Sequence, residues 1–410
     1  MPELPEVEAA RSRLEKAARG KTIVSAVTND DPIVYSGCTH ATFATAIENK
    51  TVKEVKRLGK NFYMILSSPP HPIFHFGMSG IAHVRGSPSP VYRVPRSKHV
   101  DEEWPPKYMK CSLTLRAEDG SESEWAFCDP RRLGRIKLVD CEEGDVEKVK
   151  PLSDLGRDPL LDMPPLETLS TALLKRHAPI KAVLLDQNGP LCGVGNYMVD
   201  EILYQSAIHP SHPSSALSEA QLATLHAQIR IVTVTAVEAD ADASKFPSTW
   251  LFSARWSKGK KQKDFSLPDG TSSSISFVTV GGRTSAVVDK VQILPEGIVK
   301  PKRGGGGAKG KRKAKDEEEV SDEVTEEVVP PKKKPKKGKG KVRKVKVEVE
   351  QILEEVTEVD GKEDDFERKD EGIELSDGII TSPHFKRTRR SIKIDYSERD
   401  IDGDGSGNEG

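Results

Sequence analysis

Cysteine and aromatic residues are scarce in this chain of 410 residues, and long hydrophobic runs are missing. The five cysteines all lie at or before Cys192, and no two of them form a C-x-x-C pair. An odd number of cysteines favours reduced thiols inside a cell. No apolar run approaches the roughly 18 residues that a membrane-spanning helix requires, and the acidic, proline-containing N-terminus is unlike a secretory or mitochondrial presequence. These absences predict a soluble intracellular protein without membrane contact.

An excess of charge of either sign is missing as well, since the net charge is −1. The composition nevertheless changes sharply near residue 300, and residues 301–410 contain 26 Lys and Arg in blocks that alternate with 28 Asp and Glu. Because neither part of the chain is basic as a whole, any surface for nucleic acid must be a local patch.

The segment 296–410 has high charge, few aromatic residues and many Gly, Pro, Lys and Glu, and this composition predicts disorder. Its run Lys-Lys-Lys-Pro-Lys-Lys at 332–337 is typical of a nuclear localisation signal. We therefore expect the protein in the nucleus and a tail that contacts DNA or repair and chromatin proteins. The alternative is a tail that only keeps the protein soluble.

Before that tail, the apolar pattern predicts an α+β fold in three parts. Residues 1–150 hold one leading helix, 4–18, and short strand-like runs that indicate a β-sandwich. The predicted strands are Thr22–Val27, Val52–Leu58, Phe62–Leu66, Ile73–Phe76, Ile81–Val84, Cys111–Leu115, Ser123–Cys128 and Arg135–Val139, with a long insertion at 86–107. Residues 151–240 are predicted to be helical at Leu166–Arg176, Ile180–Asp186, Tyr197–Ser206 and Ser218–Val237. Residues 241–295 are predicted to form a hairpin of Ile275–Val280 and Ala286–Val291.

The stretch Pro2-Glu3-Leu4-Pro5-Glu6-Val7 contains the first candidate catalytic residues. Initiator Met is usually removed before a small second residue, which would leave Pro2 as a free secondary amine. An α-amino group has a pKa of about 7.7–8.0, and an unprotonated amine can attack an aldehyde carbon to form an iminium. Glu3 offers a carboxyl for proton transfer. The plainer alternative is an acidic, proline-containing start of a helix.

Two cationic side chains and one glycine-rich turn are candidates for phosphate contacts. Lys60 follows a predicted strand at a Gly turn, and Arg283 lies at the tip of the predicted hairpin with a planar fork of donors. Asn196 ends the turn Gly193-Val194-Gly195-Asn196 at a helix start, where backbone N–H groups and the helix dipole favour an anion. Each of these features, taken alone, is more often a solvated side chain or a structural turn.

Enzymes that act on a base within a duplex must extrude it, and some side chain has to fill the gap. Met78, in His75-Phe76-Gly77-Met78-Ser79-Gly80, is one candidate. Arg131 and Leu133, in Asp129-Pro130-Arg131-Arg132-Leu133-Gly134, are the others. The alternatives are a core methionine and an ordinary polar turn.

In this order the motifs resemble those of the formamidopyrimidine-DNA glycosylase and endonuclease VIII family of DNA-repair enzymes. The matching residues are P-E-L-P-E-V-E at 2–8, L-G-K at 58–60, F-G-M-S-G at 76–80, D-P-R-R-L-G at 129–134, I-K-A-V-L-L-D-Q at 180–187, G-V-G-N at 193–196, I-H-P at 208–210 and G-G-R-T at 281–284. The chain is most similar to the plant and fungal formamidopyrimidine-type branch.

The resemblance implies a β-sandwich followed by a helix–two-turn–helix domain, with damaged double-stranded DNA or an abasic site in the cleft between them. It assigns Pro2 as the Schiff-base nucleophile and Glu3 as the acid that helps to open the deoxyribose ring. The protein would be a monomeric base-excision-repair glycosylase and lyase that removes oxidised or ring-opened purines and nicks the strand by β- and δ-elimination. A non-catalytic binder of damaged DNA or chromatin on the same scaffold is the alternative.

The resemblance also implies several sets of DNA contacts. The phosphate-binding set is Lys60, Asn196 and Arg283, and Arg283 is also linked to the second elimination. The void-filling set is Met78, Arg131 and Leu133. Further contacts are implied at Lys110 and Arg176.

The chain departs from the usual pattern of that family in several places, among them Tyr197-Met198 after Asn196, where an aliphatic residue and Tyr are usual. Bacterial members carry a four-cysteine zinc finger at the C-terminal end, whereas this chain has no cysteine there and cannot hold zinc through thiolates. The resemblance therefore implies a zincless β-hairpin finger around Arg283, with no metal and no cofactor. Leu133 stands where Phe is commoner. The segment 238–250 is short where bacterial enzymes cap 8-oxoguanine, which predicts a preference for ring-opened purines, further-oxidised guanines and abasic sites.

Overall fold

The N-terminal helix begins where the sequence predicts and contacts both halves of the fold. The computed structural model describes residues 2–87, 103–256, 258 and 265–295. Helix α1, Leu4–Ala18, follows Glu3, whose backbone N–H donates to the Glu6 carboxylate at 2.8 Å. This bond satisfies a backbone donor that the first turn of a helix leaves free. The buried face of α1 packs on strands of the first half and on a long helix of the second half.

Eight antiparallel strands form the sandwich that the short β-rich runs predict. They are β1 (Thr22–Thr28), β2 (Val52–Leu58), β3 (Asn61–Leu66), β4 (His71–His75), β5 (Ile81–Val84), β6 (Met109–Arg116), β7 (Glu122–Cys128) and β8 (Arg135–Val139). One sheet has the order β1-β6-β7-β5 and the other β2-β3-β4-β8. Packed rings of the two sheets fill the core, for example Phe76 and Phe127, which stack with centroids 5.6 Å apart. Large aromatic side chains contribute much of the burial energy of such a core.

The prediction of a single helix in the sandwich half was wrong. A second helix, α2, spans His40–Ile47. The Thr39 hydroxyl accepts the backbone N–H of Thr42 at 3.0 Å and caps it, while Phe43 and Ile47 bury one short stripe in the core. Two apolar residues in a stretch rich in Thr and Ala are too few to produce a periodic signal.

Helices dominate the second half, at the predicted places and within two residues of the predicted bounds. They are α3 (Leu166–Leu174), α4 (Ile180–Leu185), α5 (Asn196–Gln205) and α6 (Glu219–Glu238). Ser218 caps α6 with a reciprocal pair of bonds to Gln221. These helices enclose a second hydrophobic core, to which Leu4 of α1 belongs. The described residues also contain short 3-10 segments, at Glu143–Lys148, Leu152–Asp154, Ser214–Ala216, Ala243–Lys245 and Leu251–Ser253.

Two short hairpins follow the helices: β9 (Phe265–Ser266) with β10 (Ser272–Ser273), and β11 (Ile275–Val280) with β12 (Arg283–Val288). The predicted start of the last strand, Ala286, was wrong. The strand begins at Arg283 because Gly281 and Gly282, at φ +59° and +74°, make a two-residue turn that few other residues can adopt.

The predicted α+β architecture is thus confirmed. No helix in the described part of the chain is long and apolar enough to cross a membrane. Most of the predicted insertion and the charged tail lie outside the described residues.

Candidate active site

The chain turns inward at its N-terminus, so that Pro2 and Glu3 are buried where the sandwich meets the helical half. The Glu3 carboxylate accepts the backbone N–H groups of Tyr197 at 2.9 Å and Met198 at 3.1 Å, in the first turn of α5. The next residue, Leu4, donates its backbone N–H to the Gly193 carbonyl at 3.1 Å. Glu3 therefore caps a helix 190 residues away in sequence and fixes Pro2 beside it.

Gly195 makes this capping arrangement possible. A Cβ at residue 195 would lie 2.2 Å from the Glu3 carboxyl carbon, far inside van der Waals contact. Its backbone is extended, at φ −124° and ψ −165°, so conformation alone would allow any residue. The glycine is needed because the Glu3 side chain occupies the space.

Burial raises the pKa of Glu3 above its ordinary value. The Lys60 ammonium, the amides of Tyr197 and Met198, and the Arg255 guanidinium act in the opposite direction. Because the pKa is raised, a protonated Glu3 is available closer to neutral pH than an exposed carboxyl would be. This is the property that a proton donor requires.

Lys60 lies at the turn between β2 and β3, as predicted, and its ammonium faces the N-terminal carboxyls. Burial lowers its pKa, while Glu3 and Glu6 favour the charged form and Arg283 disfavours it. The turn is tightly packed, since a Cβ at Gly59 would lie 3.0 Å from the Cys192 sulfur. Residues from distant parts of the sequence, Glu3, Lys60 and Arg283, thus share one electrostatic environment.

A buried ion pair holds the Lys60 turn against the segment that joins the two halves. Arg57 donates to both oxygens of Asp158, which also accepts the Gly59 backbone N–H at 2.8 Å. Arg57 also donates to Glu8 of α1 at 2.9 Å. The side chains of Arg57 and Asp158 are 0% and 1% exposed. Such a pair costs desolvation, but removing one partner leaves an uncompensated buried charge.

We predict that Asp158→Asn lowers the free energy of unfolding by about 3 to 5 kcal/mol. Denaturant titration at pH 7 measures this change through the midpoint and slope. Asp162→Asn is the matched control, because its pair with Arg157 is exposed and should contribute less than about 1 kcal/mol. Equal effects of the two substitutions would contradict the structural role assigned to Asp158.

The hairpin that carries Arg283 is fastened through the next residue. The Thr284 carbonyl accepts Lys181 Nζ at 3.0 Å and Asn196 Nδ2 at 3.2 Å. Lys181 also donates to Asp200 at 2.7 Å, and Asp200 accepts Arg255 Nη2 at 2.8 Å. This buried network fixes the strand while the Arg283 side chain stays exposed. The sequence did not identify Lys181, Asp200 or Arg255 as part of the site, although Lys181 lies within one of the matched motifs.

The three predicted void-filling residues lie on two adjoining loops. Met78 is 37% and Leu133 38% exposed, and Arg131 is exposed. The loops meet closely, because a Cβ at Gly77 would lie 2.3 Å from the Leu133 carbonyl oxygen. The two loops therefore hold two partly exposed apolar side chains and an exposed guanidinium near one another.

The structure places the two remaining predicted DNA contacts differently. Lys110 donates to Asp31 at 2.9 Å and its side chain is 13% exposed, so its ammonium is engaged within the protein. Arg176 pairs with Asp186 at 3.3 Å on the surface of the helical half. Beside Lys110, Tyr108 is 52% exposed and Lys107 covers its ring. The sequence did not single out Tyr108.

His75 is a further residue that the sequence did not single out, although it begins the motif around Met78. Its Nδ1 accepts the backbone N–H of Gly77 at 3.1 Å, so the neutral ring carries its proton on Nε2. Burial and the nearby charges of Lys60, Arg135 and Lys137 lower its pKa to about 4. A neutral donor therefore lies among these cations.

Glu6 completes the N-terminal cluster. Burial and the neighbouring Glu3 carboxyl raise its pKa from 4.5 to about 7. A carboxyl whose pKa is raised on folding stabilises the fold below its unfolded pKa, and this stability is lost as pH rises through the folded pKa.

We therefore expect Glu6→Gln to stabilise the protein above pH 7 and to have little effect at pH 4.5. Each pKa unit corresponds to about 1.4 kcal/mol, so the gain at pH 9 is up to about 3 kcal/mol. Melting temperatures of the two proteins between pH 4.5 and 9 measure the difference, with exposed Glu118→Gln as the control. Parallel curves would rule out the raised pKa of Glu6.

In the described part of the chain, no group of three or more His, Cys, Asp or Glu side chains is placed to hold a metal ion. The donors around Pro2 are instead carboxyls, ammonium groups and backbone amides. Such a site can supply a nucleophile, a proton and cationic contacts.

Comparison with known proteins agrees with this geometry. The family model of the formamidopyrimidine-DNA glycosylase N-terminal domain matches residues 1–136, and the model of the helix–two-turn–helix domain matches residues 155–248. Formamidopyrimidine-DNA glycosylase of Arabidopsis thaliana is 42% identical over 295 residues, 72% of this chain and 71% of that protein. The Enterococcus faecalis protein of the same name is 34% identical over 239 residues, 58% of this chain and 77% of that protein.

Solved structures share the fold. The Lactococcus lactis formamidopyrimidine-DNA glycosylase, non-covalently bound to DNA with an abasic site, superimposes with a TM-score of 0.56 at 22% identity, over 71% of this chain and 99% of that one. The two matched domains and the buried Pro-Glu pair between them define a base-excision-repair DNA glycosylase. The chain belongs to the formamidopyrimidine-DNA glycosylase family.

Proposed function

We propose that the protein is a bifunctional DNA glycosylase and abasic-site lyase that acts through the amine of Pro2 on oxidised or ring-opened purines. The observation that carries the proposal is the meeting of the Pro2-Glu3 pair, Lys60 and the Arg283 hairpin, which come from three distant parts of the sequence. A buried carboxyl with a raised pKa next to the N-terminal amine suits proton transfer as well as capping α5, and this favours the enzyme over a protein that only binds DNA.

The proposed reaction begins at C1′ of an extruded nucleotide. The unprotonated Pro2 nitrogen forms a bond to C1′ while the glycosidic bond breaks. The electron pair of the glycosidic bond leaves with the base, which takes up a proton. The nitrogen then loses its own proton. Glu3 protonates O4′ as the C1′–O4′ bond breaks, and the nitrogen lone pair forms the C=N bond of an iminium.

The iminium makes the C2′ proton acidic. Loss of the C2′ proton to solvent forms the C2′–C3′ double bond and breaks the C3′–O bond, so the 3′ phosphate leaves. Loss of the C4′ proton to solvent then breaks the C5′–O bond in a second elimination, so the 5′ phosphate leaves. Lys60, Asn196 and Arg283 are proposed to bind the flanking phosphates, for which ammonium, amide and guanidinium donors are suited. Met78, Arg131 and Leu133 are proposed to fill the gap in the duplex.

The test is reduction with borohydride in the presence of duplex DNA that contains one abasic site. We expect a covalent protein–DNA adduct and, without reductant, a one-nucleotide gap with phosphate at both ends. Tight binding with neither adduct nor cleavage would instead establish the non-catalytic binder of damaged DNA.

The lesion preference, oligomeric state and location are also proposals. The shortness of the segment 238–250 supports a preference for ring-opened purines over 8-oxoguanine. Comparing excision rates from otherwise identical duplexes that contain one lesion or the other tests this preference.

We further propose that the protein is a monomer and that it is located in the nucleus. The nuclear location rests on the basic run at 332–337.

A further inference from the structure

The loop that carries Arg131 and Leu133 is held by two buried carboxylates, neither of which is part of the proposed chemistry. Asp129 is 0% exposed and organises the loop from inside. It accepts the backbone N–H groups of Arg131 at 3.1 Å and Gly134 at 2.6 Å, and the Ser79 hydroxyl at 2.6 Å. Asp129 therefore ties the Met78 loop to the Arg131–Leu133 loop.

The second carboxylate, Asp31, comes from the segment after β1 and is 3% exposed. Its Oδ2 accepts Arg132 Nε at 2.9 Å and its Oδ1 accepts Arg132 Nη2 at 3.0 Å. Lys110 Nζ donates to Oδ2 at 2.9 Å, and two backbone N–H groups, of Ile33 and Val34, complete the set. A two-pronged arginine–carboxylate pair fixes orientation as well as distance.

Asp31 is ionised in this setting. Burial opposes its charge, but the hydrogen bonds from Arg132 and Lys110 outweigh burial and lower the pKa of the carboxyl. The two cations are held by the protein in consequence and are less available to DNA phosphates.

The backbone at Arg132 explains why the loop needs this anchor. Arg132 has φ +57°, in the left-handed region that residues other than glycine rarely adopt, at a cost of roughly 1–2 kcal/mol. In this conformation the Arg132 guanidinium reaches Asp31 although the side chain is still 48% exposed. The side chains of Arg131 and Leu133 on either side are exposed as well. Without the anchor, the loop would relax toward commoner conformations.

We propose that Asp31 is a positioning residue for base extrusion: by gripping Arg132, it holds the loop in the shape that presents Arg131 and Leu133 to the duplex. The inference rests on the proposed function, because it assumes that these side chains enter the DNA. It assigns Arg132 to the protein framework, in contrast to its neighbour Arg131. It also accounts for the engagement of Lys110.

The test separates extrusion from chemistry by comparing two abasic substrates. Duplex DNA requires the nucleotide to be extruded and the gap to be filled, whereas a single-stranded oligonucleotide requires neither. Asp31→Asn keeps the shape but loses the charge that grips Arg132. We expect its rate of borohydride trapping to fall roughly ten-fold or more on the duplex and less than about two-fold on the single strand, given that a misplacement of about 1 Å costs up to roughly 10²-fold.

Asp30→Asn is the matched control, since Asp30 adjoins Asp31 in sequence but its side chain is 79% exposed. It should behave as the wild type on both substrates. If Asp31→Asn slows both substrates equally, Asp31 is a general stability residue and the proposal is overturned. If it slows neither, the grip on Arg132 is irrelevant to extrusion and the proposal is overturned as well.

A second variant covers the case in which Asp31→Asn does not fold. Arg132→Lys keeps the charge but removes the two-pronged contact, and should lower the duplex rate selectively. Where both single variants fold, Asp31→Asn/Arg132→Lys should be no slower than the slower single variant, because both changes break one contact. Additive losses would show that Asp31 does not act through Arg132. Failure of the proposed function is distinguishable, because the wild type would then trap neither substrate.

Discussion

A protein extended by one residue that is not removed before Pro2 is expected to lose the borohydride-trapped adduct completely. The extension converts the Pro2 amine into an amide, whose nitrogen has no available lone pair. No side chain of the site is altered. The loss should be at least about 10³-fold, as when the nucleophile of a covalent enzyme is removed.

Pro2→Gly gives a second view of the same group, since it replaces the rigid secondary amine by a flexible primary one. We expect a large loss of adduct with the melting temperature unchanged. Pro5→Ala, in the first turn of α1, is the control and should trap DNA as the wild type does. If the extended protein still formed the adduct, another amine would have to be the nucleophile. Lys60, whose pKa is lowered by burial, would be the first to examine, by Lys60→Met.

Glu3→Gln is expected to slow base excision and ring opening by about 10²- to 10⁴-fold, the usual contribution of a positioned acid or base. The amide cannot give a proton to O4′. The effect should depend on pH, because wild-type activity from this group falls as pH rises through its raised pKa. The pH–rate profile of Glu3→Gln should lack this fall in rate at higher pH. Single-turnover rates across pH measure both.

Gly195→Ala should reproduce this loss without changing any charged group. The new methyl would overlap the Glu3 carboxyl, whereas the extended backbone of residue 195 accepts alanine. Gly144→Ala is the matched control, since a Cβ there has no neighbour within 4 Å. An active Gly195→Ala protein would show that the observed position of Glu3 is not the one used in catalysis.

Local patterns in the sequence were enough for most of the fold. Short β-rich runs between turn residues located all eight sandwich strands, and helical patterns located α1 and α3–α6, because these signals come from residues that are close together in sequence. The pattern failed for α2, where only Phe43 and Ile47 face the core. It also misplaced the start of β12, which is set by the positive φ of Gly281 and Gly282.

By itself, the sequence determined the identity of the candidate nucleophile, its acid and the principal cations, since short motifs in a fixed order contain them. It also determined the family. The tertiary structure alone decided how these residues are supported. Glu3 caps α5, His75 lies neutral among cations, and Asp31 pairs with both Lys110 and Arg132. Each contact joins charges or dipoles from separate elements, and burial sets its strength, so no local pattern records it.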